Sequence, residues 1–291
     1  MKVAILGANG MLGKGLRRAW HNKQNMNFIY YARDNADVCC DFTNTDCLKQ
    51  GLEAYSPDVV INTAAITDLR HCEAFPDVAH RVNAELPGML SDMCREISAY
   101  FIHISTDHYY SGDDRKHHKE DDKVMLLNEY ARSKYAGEKN ALKNGNSLVI
   151  RTNIVGFRDN TRNLTFLEWA ISSIKNNCHI KLFDDFFTSS MFTEELAQIL
   201  ENFMENRPVG ILNVASRSVS SKEEFVLELS QALFHKEPDY DVAHVNDILD
   251  IKRANSLGLD VAKAENILGY KLPALDRVIY DIKSVYEERY L

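Results

Sequence analysis

Tyr130 and Lys134 stand four residues apart in the run NEYARSKYAGEK (128–139). On a helix, residues at that spacing share one face. A phenol titrating near ~10 is a poor proton donor or acceptor at neutral pH. An ammonium beside it favours the phenolate and brings the phenol toward the working range. The pair therefore suits proton exchange with a carbonyl oxygen. The same run holds a second copy, Tyr135 and Lys139. Five residues along a helix is a rotation of about 500°, so the two pairs point about 140° apart and only one can face a ligand. Tyr130, in the first turn, is the expected acid, and Tyr135 is expected to lie deeper and to pack. A third group is expected at the end of the apolar run AYFIHIST (99–106), where the hydroxyl of Ser105 or Thr106 would donate to a carbonyl and steady the developing oxyanion. Asp107 is expected to order the following loop, and His108 is a secondary candidate for moving a proton.

Near the start of the chain, Gly7, Ala8, Asn9, Gly10, Met11, Leu12 and Gly13 follow a short apolar run and open a helical pattern. Glycines there let the backbone approach a pyrophosphate, and the helix N-terminus offers N–H groups and a positive dipole end. The alternative is a tight turn with no ligand. A dinucleotide read this way meets its 2′ position at the end of the second strand. Arg33 there suits a 2′-phosphate, because a guanidinium forks onto phosphate oxygens; Asp34 suits a free 2′-hydroxyl. The reading is NADPH, with NADH as the alternative, and Lys134 would also hold the nicotinamide ribose. Arg151, Arg158, Arg162, Lys252 and Arg253 are candidates for the diphosphate of an anionic substrate.

These residues need elements to position them. Apolar runs occur at 3–8, 27–32, 58–65, 99–106 and 147–152, separated by helical periodicity at 11–21, 45–55, 76–97 and 130–142. Strands apolar on both faces and separated by helices mean a parallel sheet covered on both sides. The expected class is α/β, a doubly wound Rossmann-type parallel sheet. Later helical patterns lie at 163–176, 193–205, 221–234, 261–268 and 274–288, with short strands at 179–183 and 210–216. The domain reading is 1–152 for dinucleotide binding, completed by about 192–216, with 153–191 and 217–291 forming a smaller, mainly helical substrate lobe.

Composition narrows the class further. The net charge of −8 opposes a nucleic-acid surface, which needs a basic patch. No run of about twenty apolar residues predicts a membrane span, and MKVAILGANG reads as a buried strand, not a leader. The six cysteines lack the pairwise spacing of a metal site or disulfide framework, so no metal is expected and reduced thiols in a cytoplasmic setting are.

Together these residues resemble the extended short-chain dehydrogenase/reductase superfamily, and within it the dTDP-4-dehydrorhamnose reductase family. The matching pieces are GANGMLG (7–13), DFTNTD (41–46), PDVVINTAAIT (57–67), Cys72-Glu73, Val82-Asn83-Ala84, HISTD (103–107), NEYARSKYAGEK (128–139), IRT (150–152), TEELA (193–197) and ANSLGLD (254–260). The resemblance implies that Asp41 and Phe42 flank the adenine, that Ala64, Ala65 and Thr67 line the cofactor trough, and that Asn83 sits below the active site. It makes Thr106, Tyr130 and Lys134 the catalytic set and places Asn255 and Ser256 in a substrate segment. Ser105, Asp107, Asn153 and Asn255 join Arg151, Lys252 and Arg253 as expected substrate residues. The departures fall mostly in the substrate half. An RTSW-like segment reads Arg151-Thr152-Asn153-Ile154, without its aromatic, and a DQFGxPT-like segment reads Asp185-Phe186-Phe187-Thr188-Ser189-Ser190-Met191.

The activity implied is NAD(P)H-dependent reduction of a 4-keto-6-deoxy sugar nucleotide, in dTDP-rhamnose or related polysaccharide biosynthesis. The partner is a nucleotide sugar, with no nucleic acid or membrane, and a homodimer is left open. Two alternatives remain. One is a sugar-nucleotide epimerase or dehydratase with bound NAD. The other is a non-catalytic, cofactor-binding regulatory subunit, as in the beta subunit of methionine adenosyltransferase, which resembles the same family.

Overall fold

The structure, a computed structural model, describes residues 1–160, 163–248 and 250–290. The chain divides into two compact units. The first comprises Met1–Thr106, Leu126–Arg151 and Ala197–Leu212, and the second Asp107–Met125, Thr152–Leu196 and Asn213–Leu291.

The first unit carries the sheet. Its seven strands lie in the spatial order Gly210–Asn213, Ser147–Arg151, Tyr100–Ile104, Val59–Asn62, Lys2–Leu6, Asn27–Ala32, Val38–Cys39. The pairings from Ser147–Arg151 through to Val38–Cys39 are all parallel. Ile5 lies between Tyr30 on one side and Ile61 on the other, so the strand order reverses beside the first strand. The carboxyl ends of strands at such a reversal form the ligand crevice of doubly wound sheets. The apolar runs are buried on both faces, as a covered parallel sheet requires: Val3 to Leu6, Val59 to Ile61 and Tyr100 to Ile102 have no exposed surface. Leu48 and Leu52 of helix Thr45–Tyr55 and Leu86, Leu90 and Cys94 of helix Leu86–Glu96 pack on Ala4, Leu6, Val60 and Phe101. The doubly wound α/β class expected from the alternation is the one that forms.

Two local features differ from the periodicity. The stretch 76–97 is not one regular helix: Pro76–His80 and Leu86–Glu96 flank a π-helical turn at Arg81–Glu85. A further helix, Leu69–Ala74, starts where Asp68 accepts from the His71 N–H at 2.8 Å. Six residues are too few to show a helical period.

The second unit is built on helices Phe166–Lys175, Lys222–Phe234 and Leu275–Tyr290 around a core that includes Phe157, Leu167, Phe192, Phe225, Val278 and Ile282. It also holds a three-stranded sheet, Ser220–Ser221, Phe187–Thr188 and Ser256–Leu257, and two strand pairs. Asp107–Met125 packs with these later segments. His118 donates its N–H to Gly258 at 2.9 Å, and the Asn213 amide donates to the His118 carbonyl at 2.9 Å. Among the described residues, no helix is long and apolar enough to cross a membrane.

Candidate active site

The glycine loop sits at the reversal. Gly7 has φ +87°, and a Cβ there would lie 2.6 Å from Thr63 Oγ1 and 2.7 Å from the Ala64 nitrogen. Only glycine tolerates both the conformation and the contact. Thr63 Oγ1 donates to the Leu6 carbonyl at 2.7 Å, fastening the ends of the two central strands. A Cβ on Gly13 would lie 2.5 Å from the Gly7 carbonyl oxygen, so the first turn of helix Met11–Trp20 lies directly on the loop. Gly10 caps that helix without a side-chain hydrogen bond. The first N–H groups of a helix have no intrahelical acceptor, so Met11, Leu12 and Gly13 present donors at a positive dipole end. Asn9 donates to the Asp34 carbonyl at 2.6 Å and to its Oδ1 at 3.1 Å, tying the loop to the end of the second strand. Asp34 is thereby engaged by the loop. Arg33 is exposed, and Asp41 feels its charge. The Thr43 N–H and hydroxyl on Asp41 Oδ1 hold that carboxyl below its usual range, with Arg33 adding to them. Phe42 is half-buried against the sheet core.

The pair Tyr130 and Lys134 lies on helix Glu129–Leu142, whose start is fixed twice. Asn128 accepts from the Ala131 N–H at 2.9 Å, and Glu73 accepts from the Glu129 N–H at 2.7 Å. Tyr130 is 8% exposed and Lys134 1%. The Lys134 ammonium donates to the Ile104 carbonyl at 2.7 Å, two residues before Thr106 on the neighbouring strand end. Burial lowers its pKa to about 8, against the opposing pull of Glu138. The second pair is different. Tyr135 is only half-buried, with the Lys139 ammonium 4.4 Å from its ring centroid. The expectation that Tyr135 lies deeper is thus corrected: its face is the outer one, and the Tyr130 face is the buried one.

Beneath the pair is a polar layer that the sequence did not reveal. Glu138, one turn past Lys134, is buried; it accepts from Ser105 Oγ at 2.6 Å and forms a forked pair with Arg151, with contacts of 2.8 and 3.0 Å. Two expected substrate residues, Ser105 and Arg151, are therefore corrected to structural partners of one buried carboxylate. A cation sealed beside a carboxylate is not available to a phosphate. His103 is also buried, 3.2 Å from the Asn62 amide, and burial and then Lys134 hold its imidazole neutral. Asn83 has no exposed surface. Its amide accepts from the Ile66 N–H at 2.8 Å and donates to the Ile66 carbonyl at 2.9 Å and to Ser133 at 3.1 Å. It clasps the segment carrying Ala64, Ala65 and Thr67 to the Tyr130 helix. The half-buried Ala64 and Ala65 and the exposed Thr67 line that segment's accessible side.

The remaining substrate expectations fall in the second unit, where the structure describes them separately. Asn153 donates to Asp107 at 2.8 Å and accepts from Ser190 at 2.9 Å. Asn255 accepts from Ser111 at 2.8 Å and from the Gly112 N–H, and donates to the Asp185 carbonyl at 3.3 Å. Both half-buried amides stitch segments of the second unit together. Lys252 is exposed, and Arg253 is partly buried, with an Nε that has no hydrogen-bond partner. Arg158 donates to the Asn163 carbonyl; Arg162 lies outside the described residues. Asp184, Asp185 and His244 are the one group among the described residues with metal-ligand spacing. His244 pairs with Asp184 at 2.9 Å, and Asp185 accepts from the Val245 N–H at 2.8 Å.

A seven-stranded sheet with a glycine cradle at its reversal and a buried Tyr–Lys pair on one helix face defines an extended short-chain dehydrogenase/reductase. Gly7 and Gly13, where any Cβ would strike neighbouring backbone, let the loop pack closely beneath the helix N-terminus, whose N–H groups fit the pyrophosphate of a dinucleotide. The model of the RmlD substrate binding domain matches residues 1–285, and the chain belongs to that family. It is thus an NAD(P)-dependent oxidoreductase by class. Over its length the chain is similar to the probable low-salt glycan biosynthesis reductase Agl14 of Haloferax volcanii, with 28% identity covering 99% of each chain. It is also similar to a solved dTDP-4-dehydrorhamnose reductase of Clostridium acetobutylicum, with TM-score 0.87, 22% identity and coverage of 99% and 100%. A hypothetical dTDP-4-dehydrorhamnose reductase of Sulfolobus tokodaii gives TM-score 0.80, 29% identity and coverage of 95% and 98%.

Proposed function

We propose that this chain reduces a 4-keto-6-deoxy sugar nucleotide with NADPH. The observation that carries the reading is the buried pair, Tyr130 and Lys134, on the helix whose lysine is anchored to the strand end before Thr106. The first unit is the dinucleotide-binding domain and the second the substrate domain. Gly7, Asn9, Gly10, Met11, Leu12 and Gly13 hold the pyrophosphate. Arg33 takes the 2′-phosphate, Asp41 and Phe42 flank the adenine, and Ala64, Ala65 and Thr67 line the trough. NADPH, when bound, supplies the hydride that reduces the ketone carbon. Tyr130 gives its phenolic proton to the ketone oxygen, which becomes the hydroxyl. Lys134 stabilises the phenolate left behind, and Thr106 donates a hydrogen bond to the same oxygen. Asn83 acts indirectly, by holding the trough against the Tyr130 helix. The relatives named as dTDP-4-dehydrorhamnose reductase and as a probable low-salt glycan biosynthesis reductase support a nucleotide-sugar substrate, used in the cytoplasm for polysaccharide synthesis.

The test is NADPH oxidation with a freshly generated dTDP-4-keto-6-deoxy sugar. Tyr130→Phe should lose about a hundredfold to ten-thousandfold in kcat, while Tyr135→Phe keeps wild-type turnover. Wild-type protein that binds NADPH but consumes none with this substrate would sink the reading.

A further inference from the structure

The cysteines show no disulfide framework in the sequence, yet the fold brings two of them together in the first unit. Cys40 follows the edge strand Val38–Cys39 and is 4% exposed, packed in the sheet core with Tyr31, Leu48 and Leu52. Its N–H donates to the Ala32 carbonyl at 2.8 Å, and its Sγ to the Asp41 carbonyl at 3.4 Å. Cys47 is half-buried in the first turn of helix Thr45–Tyr55 and packs against the same core. Its N–H donates to the capping Asn44 side chain at 3.2 Å. Residues 41–46 fold back between the two, and the Asn44 N–H donates to the Asp41 carbonyl at 2.8 Å. Burial, then hydrogen-bond contact with the Cys47 thiol, push the Cys40 thiol up to about 12.

Tyr31 completes the group. It has no exposed surface, and its hydroxyl has no hydrogen-bond partner. Burial, then the charges of Cys40 and Cys47, raise its phenol to about 12. A buried hydroxyl left unpaired opposes folding, and an oxygen carried on one of those sulfurs is a partner for it. A thiol at about 12 supplies little thiolate, so Cys40 is not the first to react. Cys47 is the more accessible. Its thiolate attacks a peroxide: an S–O bond forms, the O–O bond breaks, and the departing hydroxide takes up the thiol's proton as water. Cys40 then attacks the Cys47 sulfur. An S–S bond forms, the S–O bond breaks, and the Cys40 proton leaves with the oxygen as a second water. Each sulfur gives up one electron, and one peroxide becomes two waters. The contact between the thiols makes this second step intramolecular.

We propose that Cys40 and Cys47 are a peroxide-oxidised dithiol whose disulfide weakens the adenine end of the cofactor site. The bond closes a ring around Asp41 and Phe42, and it removes the hydrogen that Cys40 donates to the Asp41 carbonyl. The effect on NADPH rests on the cofactor reading above; the disulfide does not. Cys39 and Cys178 are exposed and Cys72 and Cys94 buried, the Cys72 thiol donating to the Ile66 carbonyl at 3.6 Å. A reversible disulfide of this kind suits sensing in a reducing compartment.

Peptide mass mapping of the native full chain after hydrogen peroxide and alkylation tests the assignment, with NADPH affinity titrated before and after. Wild type should form one disulfide between Cys40 and Cys47, reversed by dithiothreitol. Its NADPH affinity should fall about twofold to tenfold, the worth of one hydrogen bond. Cys47→Ala should form no disulfide and keep its affinity under peroxide. Cys40→Ala should hold a sulfenic acid on Cys47, trapped by dimedone, and Cys178→Ala should behave as wild type. Cys40 and Cys47 both still free after peroxide, a disulfide that joins Cys39 or a second chain instead, or unchanged NADPH affinity in the disulfide form overturns the proposal. Should Cys40→Ala not fold, the wild-type map and Cys47→Ala decide it. A disulfide that weakens NADPH, in a protein whose reduced form turns over no dTDP-4-keto-6-deoxy sugar, removes the reductase reading and leaves the dithiol standing. Turnover by a chain that forms no such disulfide does the reverse.

Discussion

Lys134 links chemistry to protonation. In the proposed mechanism its ammonium favours the Tyr130 phenolate only while charged, and burial brings its pKa from 10.5 to about 8. kcat/KM, which reports the free enzyme, should therefore fall as pH rises through about 8. The stability change has the opposite sign. The folded pKa lies below the unfolded value, so the unfolded chain binds more protons between about 8 and 10.5, and this group adds stability as pH rises through that window. An alkaline loss of activity together with a loss of folded protein would contradict the assignment. The other decisive residue is Glu138. Glu138→Gln leaves Arg151 sealed without its counter-charge and should cost about 3–5 kcal/mol in urea unfolding. A change within ~0.5 kcal/mol, the usual range for a surface substitution, would show that the pair is not buried as described.

At the scale of elements, the Tyr130 helix is placed by close backbone approach. A Cβ on Gly137 would lie 2.0 Å from the Asn83 carbonyl oxygen, so the helix touches the π-helical turn Arg81–Glu85 at that point. Asn140 reinforces the contact, donating to the Ala84 carbonyl at 2.9 Å. Gly137→Ala must push the helix away, costing roughly 1–3 kcal/mol and lowering kcat through a displaced Tyr130. If the variant crystallises with the helix unmoved and retains full kcat, this account of how the helix is positioned is wrong. The same contact explains why the stretch 76–97 departs from a single helix: the inserted residue of a π turn re-aims Asn83 toward Ile66 and Ser133.

For the whole molecule, ligand linkage separates the cofactors. NADPH at about a hundred times its Kd should add roughly 2.7 kcal/mol of stability, read as a rise in Tm. NADH at the same concentration should raise Tm less, and Arg33→Ala should erase the difference. Equal shifts from both cofactors in wild type would remove Arg33 from the 2′-phosphate. The strand and helix order, the glycine loop and the Tyr–Lys face were legible in the sequence because each depends on local spacing: period two or unbroken burial for strands, period 3.6 for helices, glycine where backbone must come close. A rotation angle separated the two overlapping YxxxK pairs, and the structure showed which of the two faces is buried.

Polar partnership was not legible. Arg151, Ser105, Asn153 and Asn255 have the residue types of ligand contacts, and all four are engaged inside the protein. Lys222 has the type of an ordinary helix-start residue, and its neighbours include the Phe166 ring and the Asp107 charge. A charge or amide in a sequence states what it can bond. Which partner reaches it first is decided by residues tens of positions away, such as Glu138 for Ser105 or Ser111 for Asn255, and only the tertiary structure brings those together. The sequence by itself determined the α/β class, the glycine loop after the first strand and the helix that carries the Tyr130 and Lys134 face. The tertiary structure decided which charged and polar side chains are locked into the fold, because burial and pairing are properties of the packed chain.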